Sequence, residues 1–178
     1  MACDRDTEKV HAVGLIKEPG RVIKVLMVCL GNICRSPTAQ GVLEKQVLDR
    51  GLEKTVSVDS AGTADYHVGK NPDPRSIAAA SRRGLDLASQ TSRQVCDQDF
   101  EQFDYILAMD AENLTVLQSR CPSEHRQKLK LLLSFTEQRR LNVPDPYYGD
   151  DGFELVLDLA EQACHQFLAH IAHEFTSK

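Results

Sequence analysis

Two side chains with reactive chemistry stand close together in Cys29-Leu30-Gly31-Asn32-Ile33-Cys34-Arg35-Ser36-Pro37. An ionised cysteine is a strong nucleophile. An arginine six positions on can offer two parallel N–H donors to two oxygens of a phosphate. A thiolate held beneath a phosphorus atom that a guanidinium and backbone amides grip is equipped for phosphoryl transfer. Expelling the leaving oxygen of a phosphate ester also calls for a proton donor. Asp145, in Asp145-Pro146-Tyr147-Tyr148-Gly149-Asp150, is the candidate. Pro146 stiffens the segment, and Tyr147 and Tyr148 can wall a slot for an aromatic ring. Taken alone, the segment also reads as an ordinary turn with exposed tyrosines. Asp110 and Asp150 are rival acids, Asp110 better explained as a helix cap and Asp150 as the start of the last helix.

The elements around these residues decide whether they can meet. Val22 to Val28 is short, apolar and β-branched, which predicts a buried strand. Ala39, Leu43 and Val47 recur at four-residue spacing, which predicts one face of a helix. The nonamer therefore joins the carboxyl end of a strand to the amino end of a helix. Pro37 fits that helix's first turn and Ser36 its cap. Unpaired amides and the macrodipole make such a junction an anion site and lower the pKa of a cysteine placed there. Gly31 and Asn32 tolerate positive φ, so the loop can curl inward.

Further on, Thr55 to Asp59 alternates as a second strand, and Ser60-Ala61-Gly62-Thr63 is expected to turn. Residues 65 to 75 form a loop with two prolines. A helix follows over Pro74 to Arg83, closed by Gly84. Tyr105 to Met109 reads as a third strand, Asp110 as the cap of a helix carrying Leu114 and Leu117, and Leu129 to Leu133 as a fourth strand. Phe153, Leu157, Ala160, Cys164, Phe167 and Ile171 step by threes and fours through a last helix over Gly152 to Glu174. Strands alternating with helices predict an α/β fold, a single domain with a four-stranded parallel sheet and helices on both faces. Ligands in such sheets bind at strand carboxyl ends where the winding reverses.

The 178 residues suffice for one core, with residues 1–20 expected as a loose extension and 21–178 as the domain. A net charge of −5 argues against nucleic acid, and no apolar run approaches the roughly 20 residues that cross a bilayer. Of six cysteines (Cys3, Cys29, Cys34, Cys96, Cys121, Cys164) only Cys29 and Cys34 are close in sequence. No second pair completes a zinc site, and no secretory segment is recognisable, which favours a reducing, cytoplasmic setting. His165, His170 and His173 make a poor chelate and read as solvated. Neither metal nor cofactor is expected.

The nonamer, with its preceding strand and the Asp145 segment, resembles the low-molecular-weight protein-tyrosine phosphatases over about Val22 to Phe167. The resemblance implies hydrolysis of phosphotyrosine in proteins and of aryl phosphates. Cys29 would be the nucleophile, Arg35 the phosphate ligand and Asp145 the general acid. Leu30, Gly31, Asn32, Ile33 and Cys34 would cradle the phosphate. Ser36 can donate to the Cys29 sulfur and help expel it. Asn32 and Ser60 resemble the pair that fixes the loop's shape, and Tyr66 the aromatic at the cleft mouth. Cys34 would be the thiol that condenses with oxidised Cys29. One departure stands out. Where many relatives carry a His supporting the Asn and Ser, this chain has Gln90 or Ser89.

Tyrosine-phosphorylated proteins are the implied partners and inorganic phosphate the product, with no membrane insertion and with weak self-association left open. Three other readings share these residues. A thiol-linked arsenate reductase needs relay cysteines, and Arg82 to Val95 has none. A phosphotyrosine-binding module has no use for Cys29, Arg35 and Asp145 together. A phosphoarginine phosphatase would usually carry Thr at the position of Ile33.

Overall fold

The computed structural model describes residues 21–149 and 152–176. The expected extension over residues 1–20, Cys3 and Asp150 lie outside the described residues. Four strands, β1 (Ile23–Cys29), β2 (Val56–Gly62), β3 (Tyr105–Ala108) and β4 (Leu129–Leu131), form one sheet in the order β2-β1-β3-β4. All three pairings are parallel. Around the sheet run α1 (Arg35–Asp49), α2 (Pro74–Arg82), α3 (Asp97–Gln102), α4 (Ala111–Arg120) and α5 (Gly152–Thr176).

Apart from the exposed Lys24 near its start, β1 is apolar because both its faces are covered. Successive side chains point to opposite faces. Ile23, Val25 and Met27 pack with residues of α1, α2 and α5, including Leu43, Ala80 and Phe167. Leu26 and Val28 pack with Phe100 of α3 and Leu117 of α4. Val25, Leu26, Met27 and Val28 are wholly buried. Each stabilises the fold by about 1.5–3 kcal/mol relative to an exposed side chain, so a charge at any of them would break the centre of the sheet.

The chain passes from β1 to β2 on one side, then crosses to β3 on the other. The crevice this reversal opens lies at the carboxyl end of β1, where Cys29 sits.

Some elements differ from the sequence reading. β2 does not turn at Ser60 but runs on to Gly62, because the residues opposite it in β1 extend to Cys29. The fourth strand stops at Leu131 and tightens into a 3₁₀ turn over Leu132–Phe135, which buries Leu132 and Leu133. α3 is only six residues long and buries a single large apolar side chain, Phe100, too little for a periodic signal. Ser36 is not the cap of α1. The helix begins two residues earlier than that cap implies, at Arg35 rather than Pro37, with Cys34 in the cap position, and Pro37 does fall in its first turn. Asp110 does cap α4, accepting from the Asn113 amide at 2.7 Å. His165 and His173 are exposed, but His170 is half-buried, its ring 5.1 Å from Phe135.

Candidate active site

Between β1 and α1 the carbonyls of Cys29, Leu30, Gly31, Ile33 and Cys34 turn outward into the protein. The Cys29 carbonyl accepts from Thr63 N at 2.9 Å and that of Leu30 from Ala64 N at 3.0 Å. The Gly31 carbonyl accepts from Ser92 Oγ at 3.1 Å and that of Ile33 from Asp73 N at 2.8 Å. The Cys34 carbonyl accepts from Thr38 Oγ1 at 2.7 Å. A peptide plane that presents its carbonyl to one side presents its N–H to the other. The Asn32 amide donates to Cys29 Sγ at 3.2 Å, and among the described residues the amides of Gly31, Ile33 and Cys34 meet no carbonyl. This leaves a ring of donors around the sulfur at the amino end of a 15-residue helix, which is a built anion cradle.

Asn32 holds that shape. Among the described residues it is the one non-glycine residue with positive φ, 55°. Its Nδ2 donates to Ser36 Oγ and to Ser60 Oγ, both at 2.9 Å, while its Oδ1 accepts from the Arg93 amide at 3.0 Å. Ser60 Oγ in turn donates to Gln40 Oε1 at 2.7 Å. Ser36 Oγ stands 3.1 Å from Cys29 Sγ. The Asn32–Ser60 link and the Ser36–Cys29 contact are therefore where the sequence reading put them. Gln90 is not part of this network. It donates to the Pro37 carbonyl at 3.1 Å, and the support expected from Gln90 or Ser89 comes instead from Gln40 and the Arg93 backbone.

Arg35 is 4% exposed. Its Nη1 donates to Asp110 Oδ2 and, at 3.2 Å, to the Val143 carbonyl; its Nη2 donates to Asp145 Oδ2 at 3.4 Å. Of the five guanidinium N–H groups, these bonds leave Nε–H and the second Nη2–H, the parallel pair that suits two phosphate oxygens. Burial pulls the Arg35 pKa down. The Cys29 sulfur, Asp110 and Asp145 outweigh that effect and hold it above its ordinary value. Asp110 is thus both a helix cap and an anchor for Arg35, a second role the sequence reading missed. Its place after β3, the neighbour of β1 in the sheet, brings it to the same crevice.

Asp145 caps a short turn over Pro146–Tyr148, accepting from Tyr147 N at 3.1 Å. Arg75 fastens this segment. It donates to the Tyr147 carbonyl at 3.3 Å and lies 5.5 Å from the Tyr147 ring. A cleft of about 180 Å³ results, lined by Cys29, the loop, Arg35, Tyr66, Asp145, Tyr147 and Tyr148. Tyr66 and Tyr148 line its mouth and are largely exposed. His67, which had no sequence signal, also lines it. A Cβ on Gly31 would meet the His67 ring at 2.9 Å, so glycine is what lets the loop and His67 close together.

Cys34 is buried beside Cys29 on the cleft wall. Burial, with Asp73, Cys29 and Asp145 nearby and only Ser76 opposing, pushes its pKa up to about 12, so it stays a neutral thiol. Among the described residues no group of His, Cys, Asp and Glu can hold a metal ion, and no helix is long and apolar enough to cross a membrane.

Residues 24–177 match the family model described as low molecular weight phosphotyrosine protein phosphatase. A Homo sapiens protein of that description is 43% identical over 147 residues, 81% of this chain and 92% of that one. The crystal structure of YfkJ from Bacillus subtilis superposes with a TM-score of 0.84 at 40% identity, covering 88% of this chain and 99% of that one. A Drosophila arginine phosphatase superposes with a TM-score of 0.78 at 35% identity, covering 83% and 97%.

Proposed function

Since the chain belongs to the low molecular weight phosphotyrosine protein phosphatase family, we propose that it hydrolyses phosphotyrosine in proteins through a phosphocysteine on Cys29. The observation that carries this reading is the loop whose carbonyls are tied outward, away from Cys29 Sγ, while the Asn32 amide donates to that sulfur.

In the first step the Cys29 thiolate forms a bond to phosphorus in line with the departing phenol oxygen. The P–O ester bond breaks, and Asp145 gives its proton to that oxygen. Arg35, through Nε and Nη2, and the loop amides hold the three remaining phosphate oxygens as charge builds on them. In the second step Asp145, now ionised, takes a proton from water. That water attacks phosphorus and the S–P bond breaks. Ser36 Oγ, 3.1 Å from the sulfur, stabilises the departing thiolate. Inorganic phosphate leaves. Tyr66, Tyr147 and Tyr148 flank the substrate ring, and Ile33 packs against its face. The neutral Cys34 thiol serves as redox partner, forming a disulfide with Cys29 when Cys29 is oxidised to the sulfenic acid, with release of water. The five described cysteines are free thiols, which supports a reducing, cytoplasmic setting.

A second reading, phosphoarginine hydrolysis, is favoured by the likeness to the Drosophila arginine phosphatase. Ile33 on the cleft wall weighs against it, since a branched apolar side chain suits a flat ring better than a guanidinium that needs polar partners. Turnover of a phosphotyrosine peptide and of free phosphoarginine, measured side by side, separates the two. The expected result is a kcat/KM for the phosphotyrosine peptide at least tenfold higher. Faster turnover of phosphoarginine would replace the reading.

A further inference from the structure

Behind Arg35 lies a second concavity that the chemistry above does not use. It has a volume of about 390 Å³ and shares Leu30, Arg35 and Asp145 with the catalytic cleft. Its other walls come mainly from the amino end of α4 and the strand-like segment before Asp145, with Asp110, Glu112 and Val116 among them.

Three features define what this groove can take. The first is charge. Asp110, Glu112 and Asp145 face it, and Arg35, which pairs with Asp110 and Asp145, is the cation among its walls. Asp110 balances the guanidinium, Asp145 holds the proton it donates in the first step, and Glu112 is the carboxylate left over, so the groove carries an excess negative charge. The second is that the amino end of α4 is already satisfied. Ala111 N donates to Asn142 Oδ1 at 3.0 Å and Asn113 N to Asp110 Oδ1 at 2.7 Å, so the helix end has few amides left for an anion. The third is apolar surface. Leu30 and Val116 line the groove and are 44% and 40% exposed overall, apolar surface for an aliphatic stem.

We propose that this groove is a substrate subsite for the side chain of a lysine or arginine flanking the phosphotyrosine, its stem on Leu30 and Val116 and its cation against Glu112. Because the groove opens from the lip of the cleft at Leu30 and Asp145, a residue next to or close to the phosphotyrosine reaches it. Lys and Arg suit such a surface because they lay a methylene stem on apolar atoms while the charged end stays with carboxylates and water. The proposal rests on the phosphotyrosine reading and adds a preference among substrates.

The test uses phosphotyrosine peptides alike except for Lys, Ala or Glu at the flanking positions. The readout is the ratio of kcat/KM for the Lys peptide to that for the Glu peptide, which cancels any change in turnover itself. An exposed charge contact predicts a ratio of about two to five at low salt, shrinking as ionic strength rises. Glu112→Gln should bring the ratio towards one, and Glu112→Lys should invert it. A ratio of one in the wild-type protein overturns the proposal. So does a ratio that both Glu112 variants leave unchanged, which would assign the preference to the overall charge of −5 rather than to the groove. If p-nitrophenyl phosphate is not hydrolysed, the phosphatase reading fails separately. The same peptides titrated against the Cys29→Ser protein then test the subsite by the order of their dissociation constants, equal values overturning it.

Discussion

Gly62 ends β2 against the back of the catalytic loop, and replacing it with alanine tests the frame on which the loop hangs. A Cβ there would stand 2.8 Å from the Leu30 carbonyl oxygen, 3.0 Å from that of Ala64 and 3.2 Å from the Gly31 carbonyl carbon. All three are backbone atoms, so no side chain can swing away. Restoring ordinary contact pushes the loop at Leu30 back by roughly half an ångström, with a stability cost of about 1–3 kcal/mol. Catalytic groups tolerate about 0.5 Å of displacement, and a misplacement of about 1 Å costs on the order of a hundredfold in rate. Gly62→Ala should therefore lose about tenfold in kcat/KM for p-nitrophenyl phosphate and melt several degrees lower. Gly51→Ala is the matched control. Gly51 has φ of 67° and nothing within 4 Å of its Cβ position, so alanine there costs about 1 kcal/mol of backbone strain and leaves kcat/KM alone. Assays at saturating and low substrate on both variants, with thermal melts, give the comparison. Wild-type kcat/KM and melting temperature in Gly62→Ala would refute the idea that outward-tied carbonyls fix the loop.

Asp145→Ala should slow esters of poorly acidic phenols by about 10²–10⁴-fold and p-nitrophenyl phosphate far less, read as a steeper leaving-group dependence; an equal loss across the series would point to another acid. Asn32→Ala removes the bonds to Ser36, Ser60 and the Arg93 amide while keeping a side chain at positive φ, so it should lower stability by about 1–3 kcal/mol, measured by urea unfolding, and reduce kcat. Asn32→Gly relieves the strain without restoring the bonds, and should recover stability but not kcat. Cys34, whose pKa is raised to about 12, stays protonated far above neutral pH. Iodoacetamide at neutral pH should therefore modify Cys29, with protection by phosphate, and leave Cys34 untouched until the pH approaches that value, as peptide mass mapping would show.

The sequence carried the centre of the site because its parts are neighbours in the chain. Cys29, Asn32, Arg35 and Ser36 lie within one strand-to-helix junction, and the buried strand and the three-four periodicity of α5 are local patterns. The partners that complete the site are not local. Arg35 meets Asp110 75 positions away, and Asn32 is held by Arg93 61 positions away. Only the β2-β1-β3 order brings these together, and no spacing in the chain announces it. Ser36 was misread for a physical reason. Serine before proline has the signature of a helix cap, but here its hydroxyl is taken by the Cys29 sulfur and the Asn32 amide, and the helix starts without it. His67 gave no signal, since a polar loop residue becomes part of a cleft only when a glycine across from it lets it approach.

The most direct test of the account is to stop the reaction with acid within its first turnover and map where phosphate is bound. The account predicts one phosphoryl group on the Cys29 peptide of the wild-type protein and none in Cys29→Ser. Steady hydrolysis of an aryl phosphate with no phosphocysteine at any time, or with the phosphoryl group on a different residue, would contradict it.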